Sequence, residues 1–226
     1  MALLHRAELR PSKLELVEGW APAQAWFEAG PGAGWTLVGA FRFDDPEGEV
    51  GIETLLVRAD AGPVLQVPLT YRGAPLEGGE AALLGTMQHS VLGQRWVYDG
   101  AGDPAYLTAV ATAVLTGGGQ AELFVETEGE LVRREPTAVV RGTGAGGTRV
   151  PPLVSAAKVS TWPEQRSTAV EAGDLRIVLV RVLPDDAHDE RPPSSLDALD
   201  DGAPEVLTGT WSGQLEPRLL VRVLRP

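Results

Sequence analysis

Residues 35–72 read WTLVGAFRFDDPEGEVGIETLLVRADAGPVLQVPLTYR. Trp35–Phe43 and Val50–Arg58 have the length and composition of strands, and Asp44-Asp45-Pro46-Glu47-Gly48 between them is a strong turn signal. A third run, Val64–Tyr71, is entered through Ala61-Gly62-Pro63. Strands this close in sequence favour antiparallel meanders, because a parallel crossover needs a dozen or more connecting residues. Pro68 lies inside the third run and has no N–H to give to a ladder, so that strand is predicted to be at an edge or bulged.

The same pattern continues on both sides. Residues 2–9 read as a short strand, and Pro11–Val17 as a short helix with Ser12 near its start. Trp20, Trp26, Phe27 and Trp35 fall around a Pro/Gly-rich stretch and read as core aromatics. Gly78–Leu84 suggests a helical turn, and Gly85–Asp99 two strands around Gly93. Asp103 as N-cap and Pro104 at the first helical position predict a helix through Leu115, ended by Gly117-Gly118-Gly119. Ala121–Thr127 and Leu131–Arg134 read as a hairpin, and Thr137–Arg141 as a further strand. Lys158–Val170, Asp174–Leu183, Leu207–Trp211 and Leu215–Leu224 complete the strand candidates, while Pro184–Asp201 is acidic, Pro-rich and expected to be exposed. The fold class is α+β, predominantly antiparallel β-sheet with a few short helices.

Bulk composition excludes several functions. The chain has 226 residues, enough for one large or two small domains at ~150 residues each. A net charge of −12 disfavours nucleic-acid phosphate and anionic membrane surfaces as partners. Cys is absent, which removes disulfides, thiol nucleophiles and thiolate metal sites, and His5, His89 and His188 are far apart. Charged residues interrupt the N-terminal apolar run, and no stretch approaches the ~20 apolar residues of a membrane span. Cytoplasm is the expected compartment.

Several apparent motifs fail on context. Gly142-Thr143-Gly144-Ala145-Gly146-Gly147 matches G-x-G-x-x-G, yet Thr148-Arg149-Val150-Pro151-Pro152 cannot open the helix that such a loop must feed. The segment reads instead as the start of a linker. The adjacent carboxylates Asp44/Asp45, Asp185/Asp186 and Asp200/Asp201 lie in predicted turns, where solvation is the plainer reading than acid–base chemistry. Ser167, Ser194 and Ser195 lack a nucleophile-elbow context.

One pair of segments is distinctive: Pro68-Leu69-Thr70-Tyr71-Arg72-Gly73-Ala74-Pro75-Leu76 and Leu92-Gly93-Gln94-Arg95-Trp96-Val97-Tyr98-Asp99-Gly100. With Leu9–Leu16 and Asp44–Glu53, they resemble the N-terminal cap domain of bacterial maltokinases over roughly residues 1–135. Glu164–Val170, Gly173–Leu183, Val206–Trp211 and Leu219–Pro226 more weakly resemble the kinase N-lobe that follows such a cap, up to the start of the C-lobe. The resemblance implies a cap-like domain at 1–141, a Gly/Pro-rich linker at 142–155 and a degenerate N-lobe-like β unit at 156–226.

The same resemblance places the kinase's phosphate-holding strand lysine near Leu179. Phosphoryl transfer needs that cation, a catalytic Asp and metal ligands that usually include Asn. The chain contains no Asn, and its only lysines are Lys13 and Lys158. The expectation is therefore a protein without enzymatic activity, metal or obligate cofactor. It would act through a protein partner or as a homo-oligomer, in α-glucan, maltose or trehalose metabolism. A split sugar kinase is the alternative, in which Gln165, Ser167 and Thr168 would cover nucleotide phosphates. A third reading is a sugar-phosphate or other small-ligand site made by Tyr71, Arg72, Arg95, Trp96 and Tyr98, since Arg forks to phosphate and aromatic faces stack on sugars. Against it, Trp96 and Tyr98 share strand parity and suit the core, and Arg72 and Arg95 suit pairing with nearby acids.

Overall fold

The computed structural model describes residues 2–4, 7–27, 34–127, 130–151, 153, 159–162, 166–183 and 204–225. In chain order its strands are β1 (Ala2–Leu4), β2 (Leu9–Arg10), β3 (Trp35–Phe43), β4 (Gly51–Ala59), β5 (Val64–Arg72), β6 (Leu83–His89), β7 (Gly93–Asp99) and β8 (Leu123–Thr127). They continue as β9 (Glu130–Arg134), β10 (Ala138–Gly142), β11 (Val159–Trp162), β12 (Ser167–Ala172), β13 (Leu175–Val180), β14 (Val182–Leu183), β15 (Glu205–Trp211) and β16 (Gln214–Leu224). Two α-helices accompany them, α1 (Lys13–Trp20) and α2 (Pro104–Thr116).

The strands form a seven-stranded sheet of order β2-β6-β7-β5-β4-β3 with β14 also on β5, and a six-stranded sheet of order β10-β15-β16-β13-β12-β11. A small sheet, β1-β8-β9, holds the parallel pair β1–β8; the pairs within the two large sheets are antiparallel. The α+β, mainly antiparallel class read from residues 35–72 is the observed one.

Local chemistry accounts for the helices. Ser12 caps α1 in a capping box: its hydroxyl accepts from the Glu15 N–H and the Glu15 carboxylate accepts from the Ser12 N–H. Asp103 caps α2, Pro104 opens it, and Gly117 closes it in the left-handed region at φ 69°. Residues on nearly every side of α2 are buried, including Tyr106, Leu107, Val110, Val114 and Leu115, as expected of a helix held between layers. It packs between the two large sheets, touching β3, β5, β10, β15 and β16. The resulting core joins Phe41, Ile52 and Leu56 of one sheet to Ile177, Leu207 and Val221 of the other. The opposite face of the seven-stranded sheet packs on α1 and the aromatic segment, with Trp26, Leu55, Val67 and Met87 buried.

Two expectations change. First, β5 is a central strand, with β4 along one side and β14 and β7 in succession along the other. The Gln66 N–H donates to Arg181 O on the β14 side, so residue 68, two further on, faces the same way. That interval falls between the β14 partners Val64 and Leu65 and the β7 partners Leu69–Arg72. No donor is required there, and proline is tolerated inside the sheet.

Second, the start of the expected linker is tightly packed. Gly142 ends β10, the Gly144 N–H donates to Val114 O, and a Cβ added at Gly144 would lie 2.1 Å from Leu115 O. β10, from the segment expected to end the cap, pairs with β15 in the same sheet as β11–β13. The acidic run 184–201 lies outside the described residues.

Arg181, between β13 and β14, ties the sheets together. Its side chain is 1% exposed; Nη2 donates to Asp99 Oδ2 at 2.6 Å and Nε to Thr168 Oγ1 at 2.9 Å. The guanidinium also lies 5.6 Å from the Trp26 ring centre. Arg181→Leu, which leaves the Asp99 charge without its cation, is expected to lower stability by roughly 3–5 kcal/mol in urea unfolding. Gly144→Ala is expected to lower the unfolding midpoint by an amount equivalent to about 1–3 kcal/mol. Gly146→Ala, with nothing within 4 Å of its added methyl, should leave the midpoint unchanged.

Candidate functional site

Register divides the five residues expected to hold a ligand between two faces. Thr70 pairs with Tyr98, Tyr71 with Val97, and Arg72 with Trp96. Directly opposed residues share a face and alternate residues do not. Arg72, Trp96 and Tyr98 therefore lie on the α2 side, and Tyr71 and Arg95 on the α1 side.

On the α2 side the polar groups serve the fold. Asp103 is fully buried; its carboxylate accepts two hydrogen bonds from Arg72, at 2.6 and 2.7 Å, and one from Thr70 Oγ1 at 2.6 Å. This charge-assisted fork fixes the start of α2 against β5. Tyr98 is 2% exposed and its hydroxyl accepts from the Leu76 N–H. Trp96 is half-buried. The expected core placement of Tyr98 and acid pairing of Arg72 are both observed.

On the α1 side a cleft of about 520 Å³ opens beside the β3–β4 turn. Lys13, Arg42, Tyr71, His89 and Arg95 are among its lining residues. Behind them sits Glu53, whose side chain is 9% exposed. Lys13 Nζ donates to Glu53 Oε2, the Tyr71 hydroxyl donates to the same oxygen at 3.0 Å, and Arg42 Nε lies 3.4 Å from Oε1. The Lys13 ammonium stands 5.4 Å from the Tyr71 ring centre. Burial by itself would raise the Glu53 carboxyl, but Arg42 and Lys13 outweigh it and bring it down from 4.5 to about 2. Burial first, and then the Glu53 charge, push the Tyr71 phenol well above its ordinary value. Among the described residues Arg95 has no hydrogen-bond or ion-pair partner, contrary to the expectation that it pairs with an acid.

Lys13, Arg42 and Glu53 were missed as site residues in the sequence reading. The available signal was two opposite charges, Arg42 and Glu53, embedded in mostly apolar strands. Only the register Arg42↔Glu53 makes them neighbours. Phe43, beside Arg42, turns the other way and packs edge-on against Phe41 in the core.

The remaining candidates have structural surroundings. Ser167 and Thr168 are 4% and 2% exposed, and Thr168 Oγ1 accepts from Arg181; Gln165 lies outside the described residues. Asp45 shapes its turn by accepting the N–H groups of Glu47, Glu49 and Val50. His89 Nδ1 accepts from the Val91 and Leu92 N–H groups. Gly142–Gly147 runs from the end of β10 into a turn and opens no helix. Among the described residues, no group of three or more His, Cys, Asp or Glu could hold a metal ion, and no helix is long and apolar enough to cross a membrane.

Residues 20–103 run from the last residue of α1 through β3–β7 to the cap of α2. They match the family of the maltokinase N-terminal cap domain. The matched segment is less than half of the chain and contains Arg42, Glu53, Tyr71 and Arg95; Lys13 lies just before it. No curated protein matches the chain.

The fold holds Glu53 ionised far below its ordinary pKa, so its contribution is present in full above about pH 4.5 and disappears as the pH falls towards 2. The contribution is on the order of 3 kcal/mol. Urea unfolding between neutral pH and about pH 2 should show this acid loss. Glu53→Gln should flatten it while lowering stability at neutral pH.

Proposed function

We propose that this chain is a non-catalytic, cap-type protein that acts by binding a protein partner in maltose and trehalose metabolism. The cap-domain match links it to that metabolism. The observation that carries the non-catalytic part is Leu179. Where the resemblance places a phosphate-holding lysine, an apolar side chain is 0% exposed, packed in the core between the β12 and β16 neighbours Thr168 and Val221. Leucine cannot neutralise a phosphate, and each missing charged contact of this kind removes several kcal/mol of transition-state stabilisation.

Partner binding is supported by β9. Each of its residues is exposed, Leu131 by 53% and Val132 by 49%, and among the described residues it pairs only with β8. A strand edge that carries two exposed apolar side chains is suited to receiving another chain. The split-kinase alternative would require Ser167 and Thr168 to reach a nucleotide from their buried positions.

With purified protein, ADP formation from ATP should stay at the blank level with and without maltose. Affinity capture from the source cells should recover an enzyme of maltose or trehalose metabolism, and Leu131→Glu with Val132→Glu should abolish that recovery. Sustained maltose-dependent ADP formation by the chain alone would overturn the non-catalytic reading. Its appearance only after a separate kinase C-lobe is added would favour the split kinase.

A further inference from the structure

The cleft on the α1 side has the size of a small-molecule site, about 520 Å³, within the usual range of roughly 300–1,000 Å³. The charges in it are unevenly placed: on one wall Lys13 and Arg42 share the single carboxylate of Glu53, while the lining carboxylates Asp44, Asp45 and Glu49 lie on the β3–β4 turn. Arg42 Nε is buried without a hydrogen bond of its own.

Arg95 adds a third cation to the lining. Its guanidinium lies over Gly73, where an added Cβ would come within 2.8 Å of Nη1. The absence of a side chain at Gly73 therefore leaves room for the guanidinium. It is half-buried and, among the described residues, without a partner, a situation that favours an incoming anion because partial desolvation strengthens the pairing.

The carboxylates of the lining lie on the β3–β4 turn. Asp45 is occupied by three turn N–H groups, and Glu49, at the end of the same turn, lines the cleft. Carboxylates accept hydrogen bonds from hydroxyl groups and repel a second anion. The two kinds of lining suit the two ends of one molecule.

We propose that this cleft binds a small polyhydroxylated metabolite by a single anionic group, phosphate or carboxylate, held by Arg95 with Lys13 and Arg42, while its hydroxyls face Glu49. The site goes beyond the partner-binding role and stands whether or not that role is correct, since it needs neither β9 nor the absence of ATP turnover. It also differs from the five-residue site expected from sequence, keeping Tyr71 and Arg95 and leaving out Arg72, Trp96 and Tyr98.

Calorimetric titration of the full chain with glucose 6-phosphate, gluconate, inorganic phosphate, glucose and maltose tests the proposal. Glucose 6-phosphate or gluconate should bind, the tighter of the two identifying the anion. Glucose, maltose and bare phosphate should each bind at least about tenfold more weakly, a difference of about 1.4 kcal/mol. Arg95→Gln should weaken the preferred ligand by about tenfold or more with the unfolding midpoint unchanged. Arg141→Gln, an exposed change on β10, should leave binding as it was. No binding of glucose 6-phosphate or gluconate at millimolar concentration would overturn the proposal. So would affinity for maltose equal to that for the anions, or binding indifferent to Arg95→Gln.

Discussion

The guanidinium of Arg181 sits where the two large sheets meet, and much of the tertiary structure converges on it. Its backbone N–H donates to Arg166 O and its carbonyl accepts the Gln66 N–H. Its side chain reaches Asp99 at the end of β7 and Thr168 on β12. One residue therefore joins the end of β13 to β5, β7 and β12. Gln66 reinforces the junction: fully buried, its side-chain amide donates to Val180 O and Leu220 O at 2.9 Å each. A buried cation is tolerated only with such pairing, so the strands around it have little freedom to slip in register.

The interval bridged by Arg181 and Asp99 is also the one that admits Pro68. Arg181 precedes Val182, the partner of Leu65, and Asp99 is the partner of Leu69. Opposite the intervening residues an ion pair takes the place of a ladder. A proline that reads as an edge signal is accommodated in a central strand because a side-chain contact, remote in sequence, stands where a strand neighbour would be. The same sheet separates two kinds of polar chemistry. Its α2 face uses Arg72 and Asp103 to fasten a helix. Its α1 face keeps Lys13, Arg42, Glu53 and Tyr71 beside a cleft, where two cations share one buried carboxylate.

Much of the fold was legible because it is written in short-range signals. Turn residues at 44–48 and 61–63, the Ser12 and Asp103 caps and the glycines after α2 act within a few residues of themselves. The candidate site was much less legible. Alternation along one strand says that Tyr71 and Arg72 point to opposite faces, but not which face meets water. The sequence around Arg95 suits either a ligand contact or pairing with an acid; among the described residues it has no acid partner.

The sequence by itself determined the strand and helix content, the antiparallel order of β3–β5 and the match of residues 20–103 to the maltokinase N-terminal cap domain, because capping, turn geometry and sequence motifs are local. Tertiary structure alone decided that β5 is central, that β10 joins the sheet of β11–β13, and that Lys13, Arg42 and Glu53 form one cluster. Those outcomes depend on contacts between residues tens of positions apart, where burial and charge pairing compete and the better-satisfied arrangement prevails.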